Sequence, residues 1–118
     1  MGTRRGADPV PADRTCVGCG RRITWRKAWA RDWDQVRWCS EACRRRGITD
    51  TDSGLEETLR RLLAVAGRSG VDPDTAGERQ AARRAARRLV AAGEAEMVQQ
   101  GRVVVPSTAR GTVRLRRA

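Results

Sequence analysis

The spacing of four cysteines constrains this chain more than any other feature of its sequence. Cys16 and Cys19 form a C-x2-C pair, and Cys39 and Cys43 form a C-x3-C pair after nineteen intervening residues. Two cysteine pairs at this separation are typical of a tetrahedral Zn²⁺ site. Because all four ligands would be sulfur, no coordination position remains for water. We therefore expect one structural zinc ion per chain rather than a catalytic one.

Two disulfides, or unlinked and redox-active thiols, are the alternative interpretations of these cysteines. The N-terminal residues lack the apolar run of a signal peptide, and no stretch of the chain is apolar enough to cross a membrane. We therefore expect a cytoplasmic protein. Reducing conditions there disfavour disulfides and leave thiolates free to bind metal.

Residues beside the cysteines predict how each pair is presented. Gly18 and Gly20 allow the backbone of the first pair to curl around a metal ion. Ser40 is a helix N-cap candidate, and Glu41 favours a first helical turn, so the second pair is expected at a helix N-terminus. A cysteine knuckle, a hairpin and a helix that supplies the second pair together predict a treble-clef-like zinc finger.

Charge and pattern divide the chain near residue 50. All four cysteines and all four tryptophans precede this point, and the segment ITDTDSG has the composition of a linker. We predict a disordered arm over residues 1–14, a zinc-binding module over 15–47, a linker over 48–54 and a basic domain over 55–118.

The basic domain has the pattern of two helices followed by a hairpin. Ser53 and Glu56 predict a capping box for a first helix that ends at Gly67. In a second, Arg-rich helix, Ala82, Ala85, Ala86 and Leu89 share one face, while Arg79, Arg83, Arg84, Arg87 and Arg88 are expected to face outward. The segments AEMVQQ and GRVVV predict a hairpin, and residues 112–115 a third strand. This order predicts a winged-helix-like domain, and the whole chain is expected to be a small α+β protein.

Basic residues dominate the charge, which indicates an anionic partner. The chain carries 25 Lys and Arg against 14 Asp and Glu, a formal net charge of +11. Trp25, Trp29, Trp33 and Trp38 are interleaved with these cations. They either form a small core around the metal or stack on unpaired bases.

Nucleic acid is the first candidate partner, bound through phosphates with weak sequence specificity. An acidic protein docked by the zinc module is the alternative, and a merely solvated basic face is the third interpretation. The chain has no His and no recognisable nucleophile–base pair, so we expect no enzymatic activity and no small-molecule substrate. We also expect a monomer with no membrane partner. The candidate nucleic-acid contacts are Arg21, Arg22, Arg26, Lys27, Arg44, Arg45, Arg83, Arg84, Arg87, Arg114 and Arg116.

Two segments resemble known families. The stretch CVGCGRRITWRKAWARDWDQVRWCSEACRRR, from Cys16 to Arg46, resembles the small bacterial family called domain of unknown function 2256, with its CxxCGR start, WRK-W-W core and CSxxCRR end. Members are taken to bind zinc, so the resemblance implies a metal at the four cysteines and adds no activity. Thr24 and Ala28 depart from the family pattern, which has an aromatic residue and a lysine there.

The stretch RQAARRAARRLVAAGEAEMVQQGRVVVPSTARGTVRLRR, from Arg79 to Arg117, is similar to domain of unknown function 3253. That family is winged-helix-like and is often fused to the first, so the resemblance implies such a domain over residues 55–117. Members carry a further helix before the Arg-rich one. This chain has only GRSGVDPDTAGE in that place, which predicts a shortened loop.

Overall fold

A computed structural model describes residues 12–118, so most of the predicted N-terminal arm lies outside the described residues. The chain folds into helices and two small antiparallel sheets, in agreement with the α+β prediction. No helix among residues 12–118 has both the length and the apolar character needed to cross a membrane. The elements are β1 (Arg14–Thr15), β2 (Arg22–Ile23), α1 (Glu41–Arg46), α2 (Asp50–Ala66), α3 (Arg79–Ala91), β3 (Ala95–Gln99), β4 (Arg102–Val103) and β5 (Arg114–Arg117).

The first part of the chain, here called the cysteine module, runs from β1 to the end of α1. Strands β1 and β2 pair as a short hairpin, and two 3₁₀ turns connect β2 to α1. The buried hydrophobic residues of this module are three cysteines, Ile23 and Trp33, and the other three tryptophans pack partly buried against them. The rings of Trp29 and Trp33 stack with centroids 6.2 Å apart. The tryptophans therefore form the core of the module, which favours the first of their two interpretations.

Helix α2 begins earlier than the sequence pattern predicted. Thr49, not Ser53, is its N-cap: the Thr49 hydroxyl accepts a hydrogen bond from the Asp52 N–H at 3.2 Å, and the Asp52 carboxylate accepts one from the Thr49 N–H at 2.8 Å. This reciprocal capping box satisfies two backbone donors and places residues 50–54 in the helix. The predicted linker over 48–54 is therefore wrong for most of its length. The predicted end at Gly67 is confirmed, with a φ of 60°.

The second part, here called the C-terminal domain, runs from α2 to β5 and has an aliphatic core of its own. Leu55, Leu59 and Leu63 of α2 pack against one face of α3 and against the inner side of the sheet. The sheet has the order β4–β3–β5, and its predicted hairpin turns at Gln100 and Gly101, which both have positive φ. Positive φ at both central residues is the conformation of a type I′ turn. Val71 adds one bridge beside β5 through paired backbone hydrogen bonds with Leu115.

The helical parts of the connection between α2 and α3 are two 3₁₀ turns, over Gly67–Ser69 and Pro73–Ala76. The shortened loop that the sequence predicted is therefore present. Asp72 caps the second turn by accepting a hydrogen bond from the Asp74 N–H at 2.9 Å. Asp74 in turn accepts two hydrogen bonds from the Arg83 guanidinium, at 3.0 and 3.2 Å. This loop is thereby tied to the first half of α3.

Candidate metal centre

The four cysteines converge from two ends of the cysteine module. Cys16 and Cys19 lie in the knuckle between β1 and β2, where the Gly20 N–H donates to the Cys16 carbonyl at 2.9 Å. Cys39 and Cys43 flank the N-cap of α1, and the Ser40 hydroxyl accepts a hydrogen bond from the Cys43 N–H at 3.1 Å. The predicted Ser40 cap is thus confirmed. It holds the second pair at the positive end of the short helix, where thiolates are favoured.

The sulfur atoms have the spacing of a tetrahedral metal site. The Sγ atoms of Cys16 and Cys43 are 3.5 Å apart, those of Cys19 and Cys39 are 3.6 Å apart, and all four lie within 4.8 Å of one another. A tetrahedron with metal–sulfur bonds of about 2.3 Å has edges of about 3.8 Å. None of the four is in a disulfide, and Cys39 is the one exposed to solvent. The cluster can therefore hold a metal ion with sulfur as its only ligand type.

Hydrogen bonds from the surrounding chain stabilise negative charge on the sulfurs. The Cys39 N–H donates to Cys16 Sγ at 3.3 Å, and Arg46 Nη2 donates to Cys43 Sγ at 3.3 Å. Gly18 is closely covered by Trp38, because a Cβ at that position would lie 2.7 Å from Trp38 Cζ3 and 2.9 Å from Cys43 Sγ. Only glycine fits there, so the knuckle and the tryptophan core together fix the positions of the ligands.

The pKa values of the buried thiols shift in opposite directions, because burial and neighbouring sulfurs disfavour several negative charges close together. Burial acts to raise the pKa of Cys16, but hydrogen bonds from the backbone N–H groups of Cys19, Cys39 and Gly18 outweigh it and lower the value to about 7. Burial and then the Cys16 sulfur raise the pKa of Cys43 to about 12. Burial also raises the pKa of Cys19. A bound divalent cation removes this conflict because it favours the thiolate form of every ligand.

Two arginines of α3 reach the knuckle from the C-terminal domain. Arg87 Nε donates to the Cys19 carbonyl at 2.6 Å, and Arg88 Nη1 donates to the Gly18 carbonyl at 2.7 Å. Both residues are buried, with exposed fractions of 7% and 8%. The prediction that Arg87 and Arg88 face outward on α3 is therefore wrong, because the knuckle packs on that part of the helix. Gly20 permits this close approach, since a Cβ there would lie 2.4 Å from Arg87 Cβ.

The other predicted nucleic-acid contacts fall into two groups. Several are engaged within the protein: Arg83 with Asp74, Arg44 and Arg45 with Glu41, Arg22 with Asp13, Arg116 with Glu96, and Arg114 with the carbonyls of Ser69 and Gly70. Arg83 is also mostly buried, with a side chain only 12% exposed. By contrast, Arg21, Arg26, Lys27 and Arg84 form no ion pair with a carboxylate of residues 12–118.

Comparison with protein families assigns both parts of the chain. Residues 9–46 match an uncharacterized protein family conserved in bacteria, domain of unknown function 2256. Residues 76–118 match a protein family of unknown function, domain of unknown function 3253. The chain is a fusion of these two domains of unknown function. No curated protein matches the chain.

These assignments confirm the resemblances inferred from the two sequence motifs. The 2256 segment contains all four cysteines, and the 3253 segment contains α3 and the three-stranded sheet. Helix α2 lies between the two matched segments, although its leucines are part of the core on which α3 packs.

Asp52, Glu56 and Arg88 form a hydrogen-bonded group beside the cysteine knuckle, and no sequence pattern indicated it. Arg88 Nε donates to Glu56 Oε2 at 2.8 Å, and Arg88 Nη2 donates to the Asp52 carbonyl at 3.2 Å. A buried arginine that bonds to a distant segment leaves no local periodic pattern. The available signal was the small size of the residues around it on α3, mostly alanine, which lets another segment approach the helix closely.

Proposed function

We propose that this protein is a non-enzymatic, zinc-stabilised basic protein that binds the phosphate backbone of nucleic acid through its cysteine module. Zn²⁺ suits a closed set of four sulfur ligands, and such a set leaves no coordination position for a substrate. The ion would supply structural stability here, with Cys16, Cys19, Cys39 and Cys43 as its ligands. Four cysteines that bind metal rather than form disulfides suit a cytoplasmic location.

The local arrangement of each part supports a finer description of the fold. The knuckle hairpin followed by a ligand-bearing helix supports a treble-clef-like cysteine module. The order α2, α3, hairpin and β5 supports a winged-helix-like C-terminal domain, with a 3₁₀ turn in place of its middle helix. In a winged helix, α3 would be the helix that enters the major groove.

The observation that carries the proposal is the group of exposed cations on the cysteine module. Five of them form neither an ion pair nor a side-chain hydrogen bond with residues 12–118, whereas Arg46 donates to Cys43 Sγ and Arg83, Arg87 and Arg88 of α3 are engaged inside the protein. Phosphate binding needs cations that are free to exchange counterions for phosphates. We therefore assign the nucleic-acid surface to these five residues, here called the module cations: Arg21, Arg26, Lys27, Arg31 and Arg37.

The tryptophans support backbone contact rather than base stacking. Trp29 is stacked on Trp33 on one side, and the guanidinium of Arg26 lies 5.0 Å from its ring centroid. Trp33 itself is buried. Rings covered in this way offer little free face to a base, so binding is expected to depend on salt more than on sequence.

The test is a salt titration of zinc-loaded protein against random duplex and single-stranded oligonucleotides. The triple variant Arg26→Gln, Lys27→Gln and Arg31→Gln is expected to weaken binding at least tenfold at about 50 mM salt, and to reduce the slope of log K against log salt by about 2 to 3. The matched control, Arg61→Gln, Arg68→Gln and Arg102→Gln, removes the same charge from exposed positions of the C-terminal domain.

Two results would contradict the proposal. Equal weakening by both triple variants would mean that net charge alone, not the module surface, drives binding. Absence of binding to either oligonucleotide at about 50 mM salt would exclude nucleic acid as the partner, since such contacts strengthen steeply as salt falls. An acidic protein would then become the partner to test.

A further inference from the structure

The charge of Arg87 is the least explained feature of the interface between the two parts. Its side chain is buried, and it forms no ion pair with a carboxylate of residues 12–118. Burying an unpaired cation is strongly unfavourable unless an opposite charge or good hydrogen bonds compensate. One hydrogen bond is present, from Arg87 Nε to the Cys19 carbonyl at 2.6 Å. A single neutral acceptor does not balance a buried guanidinium, so the compensating charge has to lie nearby.

The nearest candidate for that charge is the cysteine cluster itself. A divalent ion with four thiolate ligands carries a net charge of −2, and Cys19 is the residue whose carbonyl Arg87 contacts. The negative charge of a metal-loaded cluster would therefore favour a buried guanidinium at this position.

Arg88 fixes the same knuckle from the adjacent position on α3. It links two other segments to α3, because it donates to the Gly18 carbonyl of the knuckle and to the Asp52 carbonyl and Glu56 carboxylate of α2. Unlike Arg87, it has carboxylate partners, at 2.8 Å for Glu56 and 3.9 Å for Asp52. Its contribution is therefore mainly geometric: it holds the Gly18–Cys19 peptide against α2 and α3.

We propose that Arg87 and Arg88 are positioning residues of the metal centre, supplied by the other domain, and that they strengthen metal binding by orienting the Cys16–Cys19 knuckle and balancing the charge of the thiolate cluster. This inference rests on the proposed zinc binding. Partners in the outer shell of metal sites typically change metal affinity by about 10- to 100-fold when they are removed. By linkage, metal binding then also stabilises the contact between the two domains.

The experiment measures the zinc affinity of the full-length protein by competition with a chromophoric chelator. Arg87→Gln is expected to weaken zinc binding by at least about tenfold, and Arg87→Lys, which keeps the charge, is expected to recover part of that loss. Arg84→Gln is the matched control, because Arg84 lies on the same helix, is more exposed and forms no side-chain hydrogen bond or ion pair with the described residues of the knuckle. Far-UV circular dichroism checks that α3 remains folded in each variant.

A second pair of variants tests the contact without altering either arginine. Gly20→Ala would place a Cβ 2.4 Å from Arg87 Cβ and push the knuckle away from α3, whereas Gly47→Ala meets no atom within 4 Å. Both glycines have positive φ, at 74° and 63°, so each alanine meets backbone strain whatever space surrounds it. Gly20→Ala is expected to weaken zinc binding as Arg87→Gln does, and Gly47→Ala to leave it within about twofold of wild type.

The outcomes distinguish the role of the two arginines from the proposed zinc site on which it rests. Wild-type protein that binds no zinc would overturn the proposed metal site. Wild-type protein that binds zinc, together with Arg87→Gln and Gly20→Ala variants of unchanged affinity, would overturn the role of the arginines and leave the metal site intact.

Discussion

The cysteine module and the C-terminal domain bury different kinds of residue. The module encloses three cysteines, Ile23 and Trp33, whereas the C-terminal domain encloses leucines, valines, alanines and a methionine from two helices and a sheet. A segment of about 30 residues cannot bury enough apolar area to fold alone, and the proposed metal ion would make up the difference. The second domain needs no such help, because α2, α3 and the sheet cover one another. The two parts therefore should respond to different perturbations, and the following predictions test that difference.

The largest effect is expected from removing a ligand. Cys43→Ser should abolish stable metal binding and unfold the cysteine module, because metal binding supplies about 10–16 kcal/mol in comparable small domains. All four tryptophans lie in this module, so their fluorescence reports its unfolding alone, while far-UV circular dichroism mainly reports α2 and α3. Val17→Ser, at an exposed position between two ligands, is the control. Simultaneous loss of both signals would show that the two parts unfold as one unit.

A smaller effect is expected from a cavity in the aliphatic core. Leu59 is fully buried between α2 and the rest of the C-terminal domain, so Leu59→Ala should lower the free energy of unfolding by about 2–5 kcal/mol. Urea unfolding followed by circular dichroism measures this change. Leu62, on the same helix but 36% exposed, is the matched position, and its substitution by alanine should cost markedly less. Zinc stoichiometry should be unchanged in both variants, and equal costs would contradict the assignment of the core.

Thr49→Ala should lower the free energy of unfolding by about 1 kcal/mol, because the variant loses the N-cap of α2. The effect should also depend on pH. Burial acts to raise the pKa of Asp52, but hydrogen bonds from Thr49 and the charge of Arg88 lower it below its ordinary value near 3.8. The stability that this carboxylate supplies is therefore present above that value and is lost as the pH falls further. The difference between wild type and variant should shrink in thermal unfolding below about pH 4; a constant difference would contradict the capping box.

The smallest effect is expected in the hairpin turn of the C-terminal domain. Gln100 has a φ of 51°, which is unfavourable for a residue with a long side chain, and Gly101 follows it with a φ of 80°. Asparagine tolerates this conformation better and precedes glycine in type I′ turns. Gln100→Asn should therefore raise the free energy of unfolding by about 0.5 kcal/mol. A measurable loss of stability would mean that the Gln100 side chain makes a contact that the turn geometry does not require.

Sequence patterns predicted most of the local structure and the cysteine cluster. Cysteine spacing, the Ser40 cap, the Gly67 stop and the hairpin at Gln100 and Gly101 all depend on short-range chemistry, so the sequence displays them directly. The start of α2 was misplaced because two capping signals, at Thr49 and Ser53, lie four residues apart. Thr49 is the N-cap in the structure because it exchanges two hydrogen bonds with Asp52.

The interface between the two parts could not be predicted in the same way. Amphipathic periodicity assigns arginine to the solvent side of a helix, and Arg87 and Arg88 are exceptions because backbone carbonyls of another segment meet them there. Only the tertiary structure brings Gly18 and Cys19 to α3. Long-range hydrogen bonds of this kind carry no signal within one sequence window.

The position of α2 has a practical consequence for dividing the protein. The family match for the second domain begins at residue 76, but Leu55, Leu59 and Leu63 of its core come from α2. A fragment cut at the family boundary would expose the alanine face of α3 and the inner side of the sheet to water, and it would be prone to aggregate. The matched family segment and the folded domain therefore have different boundaries in this chain, and a fragment that keeps the whole core of the second domain begins at Thr49 or earlier.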